Sequence, residues 1–138
     1  MIFNKIGLAV TFSPNGKALL QEAARLKKLL NTGLVLIHVG EKDDAREKAL
    51  GELISQNNIA PGDAKIIWKQ GEPAKQILNA CEEENVDLLI AGALEKEKSI
   101  KYYIGSIARK IMRGAGCSVL IKISPKIPPV PYKHFCVS

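Results

Sequence analysis

The chain reads as a single α/β domain built on an open parallel sheet of five strands. Three observations predict this. Strand-like and helix-like segments alternate along the chain, the connections between them are short, and the strand segments are nearly continuous apolar runs. Alternation of this kind belongs to α/β domains, and strands covered by helices on both faces lose the polar–apolar alternation of a half-exposed sheet. A length of 138 residues is enough for one domain with a full core.

The first strand is expected from Lys5 to Thr11, where Ile6, Leu8 and Val10 alternate with Gly7 and Ala9. Ser13-Pro14-Asn15-Gly16 carries turn chemistry. A helix follows from Lys17 to Leu30, with Leu19, Leu20, Ala23, Leu26 and Leu30 at helical spacing. Asn31-Thr32-Gly33 ends it, with Gly33 suited to a left-handed cap. Leu34 to Val39 has the composition of a covered central strand. The second helix spans Asp43 to Gln56, and its apolar set is Ala45, Ala49, Leu50, Leu53 and Ile54. Pro61-Gly62 marks a turn before the third strand, Ala64 to Lys69, whose polar rim suits a sheet edge. Gly71-Glu72-Pro73 starts the third helix, which runs to Asn85 with Pro73 near its first position. The fourth strand is Asp87 to Ala91, the fourth helix Ile104 to Arg113, and the fifth strand Cys117 to Ile123.

Residues 1–123 thus form the domain, and 124–138 form a tail. Ser124 to Pro131 holds four prolines and cannot continue a helix or a central strand. The last residues, Tyr132-Lys133-His134-Phe135-Cys136-Val137-Ser138, are similar to the first strand, Asn4 to Val10. They read either as an ordinary C-terminus or as the start of a second, tandem domain.

Composition narrows the function classes. The formal charge is +6, with a pI near 9.3, but lysines interleave with acids, as in Glu41-Lys42-Asp43-Asp44-Ala45-Arg46-Glu47-Lys48. Such interleaving describes a solvated helix face. Nucleic-acid binding through the basic stretch Lys96 to Arg113 is the weaker reading, because no set of stacking aromatics lies on a strand face. No apolar run approaches the roughly 20 residues that span a bilayer. Met1-Ile2-Phe3-Asn4-Lys5 lacks the features of a signal peptide, so a cytoplasmic location is expected. The three cysteines include no Cys-x2-Cys pair, which argues against a disulfide framework or a zinc site. Cys81 shares a helical face with Ala74, Ile77 and Leu78 and is expected in the core, and Cys117 is expected to pack at a strand start. His38, inside an apolar strand, reads as a satisfied core or rim histidine. No base accompanies Thr11 or Ser13, so no catalytic residue is expected. Asp43-Asp44 and Glu82-Glu83-Glu84 read as exposed helix charges with no spacing for a metal.

The chemistry concentrates in Ala91 to Ser106. A buried strand leads into a loop, and the loop leads into a Gly-Ser helix start. The first N–H groups of a helix are unpaired and carry partial positive charge, so they attract anions. Glycine admits a ligand close to the backbone, and a serine hydroxyl can cap the helix or bond a phosphate oxygen. The competing reading of Gly105-Ser106 is a plain helix start, with Tyr102 and Tyr103 serving packing.

This segment resembles the nucleotide loop of universal stress proteins, Gly-x2-Gly-x9-Gly-Ser/Thr. Gly92 fills the first position, and Gly105 and Ser106 fill the last two at the correct spacing. Further similar pieces are Lys5 to Val10, Leu36-Ile37-His38-Val39, Gly71 to Leu78, Asp87 to Gly92, and Gly105 to Ile111 with Cys117 to Ile121. The resemblance covers residues 2 to 123. It implies the adenine nucleotide alpha hydrolase-like fold with strand order 3-2-1-4-5 and helices on both faces. In open α/β sheets ligands bind outside the carboxyl ends of strands where the winding reverses, here between strands one and four. The implied site residues are Thr11, Phe12, Ser13, Val39, Gly92, Glu95, Gly105, Ser106 and Ile107, with ATP as the candidate ligand and no metal. A homodimer through the last strand, or a tandem-domain partner, is also implied.

Two positions depart from the family pattern. Thr11 stands where members that bind ATP carry Asp, and Glu95 stands at the second glycine. A like-charge pair at about 4 Å costs roughly 4 kcal/mol at an effective dielectric of 20, before relaxation. The reading is a regulatory domain of stress response with a degenerate nucleotide loop, acting by ligand or protein binding and not by catalysis. The alternative is a working ATP-binding module with slow or no hydrolysis.

Overall fold

The structure, a computed structural model, describes residues 3–10, 14–60, 62–92, 106–122 and 135–137. In chain order the elements are β1 (Lys5–Ala9), α1 (Pro14–Leu30), β2 (Gly33–Val39), α2 (Asp44–Gln56), β3 (Ala64–Lys69), α3 (Pro73–Glu83), β4 (Leu88–Gly92), α4 (Ser106–Gly114), β5 (Ser118–Lys122) and β6 (Phe135–Val137). The sheet order is β3-β2-β1-β4-β5-β6. All pairings among the first five strands are parallel, as expected from the alternation, and their order is the one the resemblance implies.

The sixth strand is an addition. β6 runs antiparallel to β5, with Leu120 opposite Val137 and Lys122 opposite Phe135. β5, the strand through which the resemblance implies a homodimer, is thus paired on both sides within this chain, by β4 and β6. Several boundaries also shift. β1 ends at Ala9, α1 starts at Pro14 because proline's fixed φ suits a first helical turn, and α3 stops at Glu83. The left-handed residue after α1 is Asn31, at φ 54°, and not Gly33, which opens β2.

Two apolar layers sandwich the sheet. Ile6, Leu8, Leu34, Leu36, Leu88 and Ile90 point to one side and meet α1 and α2 through Leu19, Leu20, Ala23, Leu26 and Leu50. Val35, Ile37, Leu89, Ala91, Val119 and Ile121 point to the other and meet α3 and α4 through Ala74, Ile77, Ala80, Cys81, Ala108 and Ile111. Successive strand residues face opposite sides, so a strand covered on both must be apolar throughout. Within α2 only Leu50 is buried; Ala45 and Ala49 are exposed, because this helix covers the β2–β3 end of the sheet with a narrow stripe.

The amino edge of the sheet is clasped by Asp87. Its carboxylate accepts the N–H groups of Asn4 at 2.7 Å and Lys5 at 2.9 Å. Its own N–H donates to the Lys5 carbonyl, and its carbonyl accepts the Ser118 N–H. One residue thereby holds β1, β4 and β5 in register. Glu83 and Glu84, read as exposed helix charges, pair with Lys69 at 2.8 Å and Lys65 at 3.0 Å on β3.

Candidate functional site

β1 pairs with both β2 and β4, and the winding reverses there. The chain leaves β1 through α1 toward β2, and it returns through α3 to β4 on the opposite face. α1, which follows β1, and α4, which follows β4, pack on opposite faces, and in open α/β sheets a crevice forms outside the carboxyl ends of the strands at such a reversal.

The rim on the β1–β2–β3 side is tied by backbone and ring contacts. Val10 donates its N–H to the Ile37 carbonyl at 2.8 Å, and its own carbonyl lies 3.0 Å from His38 Nδ1. A carbonyl only accepts, so Nδ1 carries a proton and the ring is held in place. The His38 ring stands edge-on to Trp68 with centroids 5.4 Å apart. His38 is thus the satisfied rim histidine expected of it. Gly40 donates to the Lys69 carbonyl at 2.8 Å and has φ +152°, a region L side chains rarely adopt. A Cβ there would lie 2.9 Å from His38 Nε2. Gly40 was not singled out from sequence; a glycine directly after an apolar strand was its only signal.

On the other side, Gly92 ends β4. A Cβ on it would stand 2.8 Å from Leu19 Cδ1, so this glycine lets α1 lie close over β4. Ser106 is the first residue of α4, whose first turn contains no acidic side chain. α4 hands its C-terminus to the start of β5, so its N-terminus lies toward the carboxyl edge. Val39, at the end of β2, and Ile107, in the first turn of α4, pack against the same core layer. Five residues of the predicted site, Thr11, Phe12, Ser13, Glu95 and Gly105, lie outside the described residues. Tyr102, Tyr103 and Ile123 do as well.

The start of α3 adds a charged contact. Glu72 caps the helix by accepting the Lys75 N–H at 2.9 Å, and it pairs with Lys110 of α4 at 3.6 Å. That backbone hydrogen bond, helped by the Lys110 charge, holds the Glu72 carboxyl below its ordinary value of 4.5. Among the described residues no group of three or more His, Cys, Asp or Glu is placed to hold a metal ion. No helix among them is long and apolar enough to cross a membrane.

A parallel sheet whose winding reverses between β1 and β4, with helices on both faces, defines an open, doubly wound α/β domain. The universal stress protein family model matches residues 2–122, and the chain belongs to that family. The universal stress protein YxiE of Bacillus subtilis (strain 168) is 25% identical over 146 residues, covering 87% of this chain and 99% of that protein. A universal stress protein solved in complex with cAMP superposes with a TM-score of 0.72 at 16% identity, covering 88% of this chain and 97% of the other. The universal stress protein from Archaeoglobus fulgidus in complex with dAMP gives a TM-score of 0.58 at 21% identity, with coverages of 88% and 98%.

Proposed function

We propose that this chain is a regulatory domain of stress response that works by holding an adenine nucleotide at the carboxyl edge between β1 and β4. We further propose that Glu95 turns its loop against triphosphates. The observation that carries the reading is the reversal point itself: Val10 follows β1 and Gly92 ends β4, the adjacent parallel strand, and the first turn of α4 carries no acidic side chain. Helix N–H groups there supply the anion-attracting end of a phosphate site. Two fold neighbours, solved with cAMP and with dAMP, supply the ligand class: adenine nucleotides with a single phosphate group. One phosphate brings less charge toward Glu95 than three, so the degenerate position discriminates by phosphate number and leaves the adenosine part untouched. No nucleophile or base is involved, and the role is binding. A homodimer or tandem-domain partner would approach on the β5 side of the sheet, where β6 now pairs.

Calorimetry with AMP and ATP tests this. Wild-type protein is expected to bind AMP more tightly than ATP. Glu95→Gly is expected to improve ATP affinity on the order of ten-fold while leaving AMP nearly unchanged. Micromolar ATP binding by the wild type, with no gain in the variant, would replace this reading with the working ATP module.

A further inference from the structure

Between α3 and α4 runs a groove of about 650 Å³, which extends from Glu72 and Lys75 at the start of α3 to Asn85 and Gly116 near the start of β5. Two cysteines line it. Cys81 of α3 is buried, and Cys117, just before β5, is half-buried. Neither is in a disulfide, both face the same groove, and each bears on the other's ionisation. Cys81 belongs to the core layer under α3, and Cys117 packs against that layer.

We propose that Cys81 and Cys117 form a reversible dithiol–disulfide switch on the floor of the α3–α4 groove. The chain between them carries β4, the connection that includes Glu95 and Gly105-Ser106, and all of α4. A bond between the two sulfurs would therefore close a covalent loop around the very segment that bears the nucleotide loop. It would also staple α3 to the start of β5. The switch stands independently of whether a nucleotide binds.

The chemistry balances with a small-molecule disulfide as oxidant. The Cys117 thiolate, the more accessible of the two, attacks one sulfur of the oxidant and expels the other half as a thiolate. A mixed disulfide forms on Cys117. The Cys81 thiolate then attacks the Cys117 sulfur, the Cys81–Cys117 bond forms, and the second half of the oxidant leaves as a thiolate. Two protein thiols are oxidised, one external disulfide is reduced to two thiols, and the two protons pass to the leaving thiolates. Desolvation raises both thiols, Cys81 to about 12, so little thiolate exists near neutral pH. The switch is accordingly slow at rest, and its rate should rise about ten-fold per pH unit through the neutral range.

The test uses the full chain, reduced and then equilibrated with oxidised glutathione, with peptide mass mapping and thermal unfolding as readouts. The expected product is a Cys81–Cys117 bond that dithiothreitol reverses, with Tm raised by roughly 10 °C through loop closure. Cys136 should be left as a thiol or as a simple glutathione adduct. Cys117→Ser should show no such rise and no cross-linked peptide. A stable glutathione adduct on Cys117 with Cys81 still reduced would overturn the proposal. So would a bond from either residue to Cys136, or a Tm rise that survives in Cys117→Ser. The mapping on wild-type protein decides the matter even if a variant folds poorly.

Discussion

Asp87 shows how one side chain can organise an edge. It opens the fourth strand segment in sequence, and nothing in a sequence pattern says which backbone groups it will meet. In the structure its two oxygens take the N–H groups of Asn4 and Lys5, which would otherwise have no partner at the start of β1. Hydrogen bonds to an ionised acceptor contribute more than neutral ones, and losing the acceptor leaves two donors short. Asp87→Ala is expected to lower unfolding free energy by roughly 2 kcal/mol, and Asp87→Asn by less, since one oxygen remains. Urea denaturation of the three proteins checks this; a loss below about 0.5 kcal/mol for Asp87→Ala would contradict the clasp. Other residues were legible to different degrees. Cys81 and His38 could be placed from their apolar neighbours, and the structure puts both where expected. Glu22 could not. Charged helix residues usually face water, yet Glu22 is 2% exposed, and among the described residues neither carboxylate oxygen finds a hydrogen-bond partner. It shares a stripe with Ala18 and Leu26, and only the packed tertiary structure decides whether that stripe is covered.

Helices and strands were legible as elements, and their ends were less so. Apolar periodicity located the four helices of the described residues, because burying a stripe requires it. The helix ends depend on single polar residues. Asn31, Asn58 and Asn85 follow α1, α2 and α3 in the left-handed region, at φ 54°, 59° and 58°. Asparagine tolerates that region better than most side chains, so it can replace glycine as a helix terminator. Reading Gly33 as the terminator of α1 missed that option. At the other end, Asp43 caps α2 by accepting the Arg46 N–H at 2.7 Å, and Glu72 caps α3. The Glu72 cap makes a pH-dependent contribution. Its folded-state pKa lies below the ordinary value, so the unfolded chain binds this proton more readily than the folded one. The stabilisation is therefore present above the unfolded pKa, and it is lost as pH falls through the lower folded value. Glu72→Gln should flatten this part of the acid-side stability curve and leave the slope near neutrality unchanged. Thermal melts taken from pH 3 to pH 7 would show it; identical acid-side slopes in the two proteins would argue against the cap.

For the whole molecule, the α/β class and parallel sheet followed from the alternation of elements, but the strand order did not. Right-handed crossovers restrict the order without choosing it, and 3-2-1-4-5 came only from the resemblance. That order matters most for function, because it sets β1 beside β4 and so creates the crevice. β6 was not foreseen as part of this sheet, because a three-residue pairing after a proline-rich stretch leaves almost no periodic signal. Val39, Gly92, Ser106 and Ile107 fall on the carboxyl-edge side as the topology requires, whereas Glu95, on which the proposed choice between nucleotides rests, lies outside the described residues. Whether an adenine nucleotide is held at this edge can be read from amide chemical shifts on titration with AMP. Shifts are expected to cluster at Val10, Val39, Gly40, Gly92, Ser106 and Ile107, with the opposite edge around Asp87 and Cys117 unmoved. Shifts centred on that opposite edge, or none at millimolar AMP, would contradict the proposal.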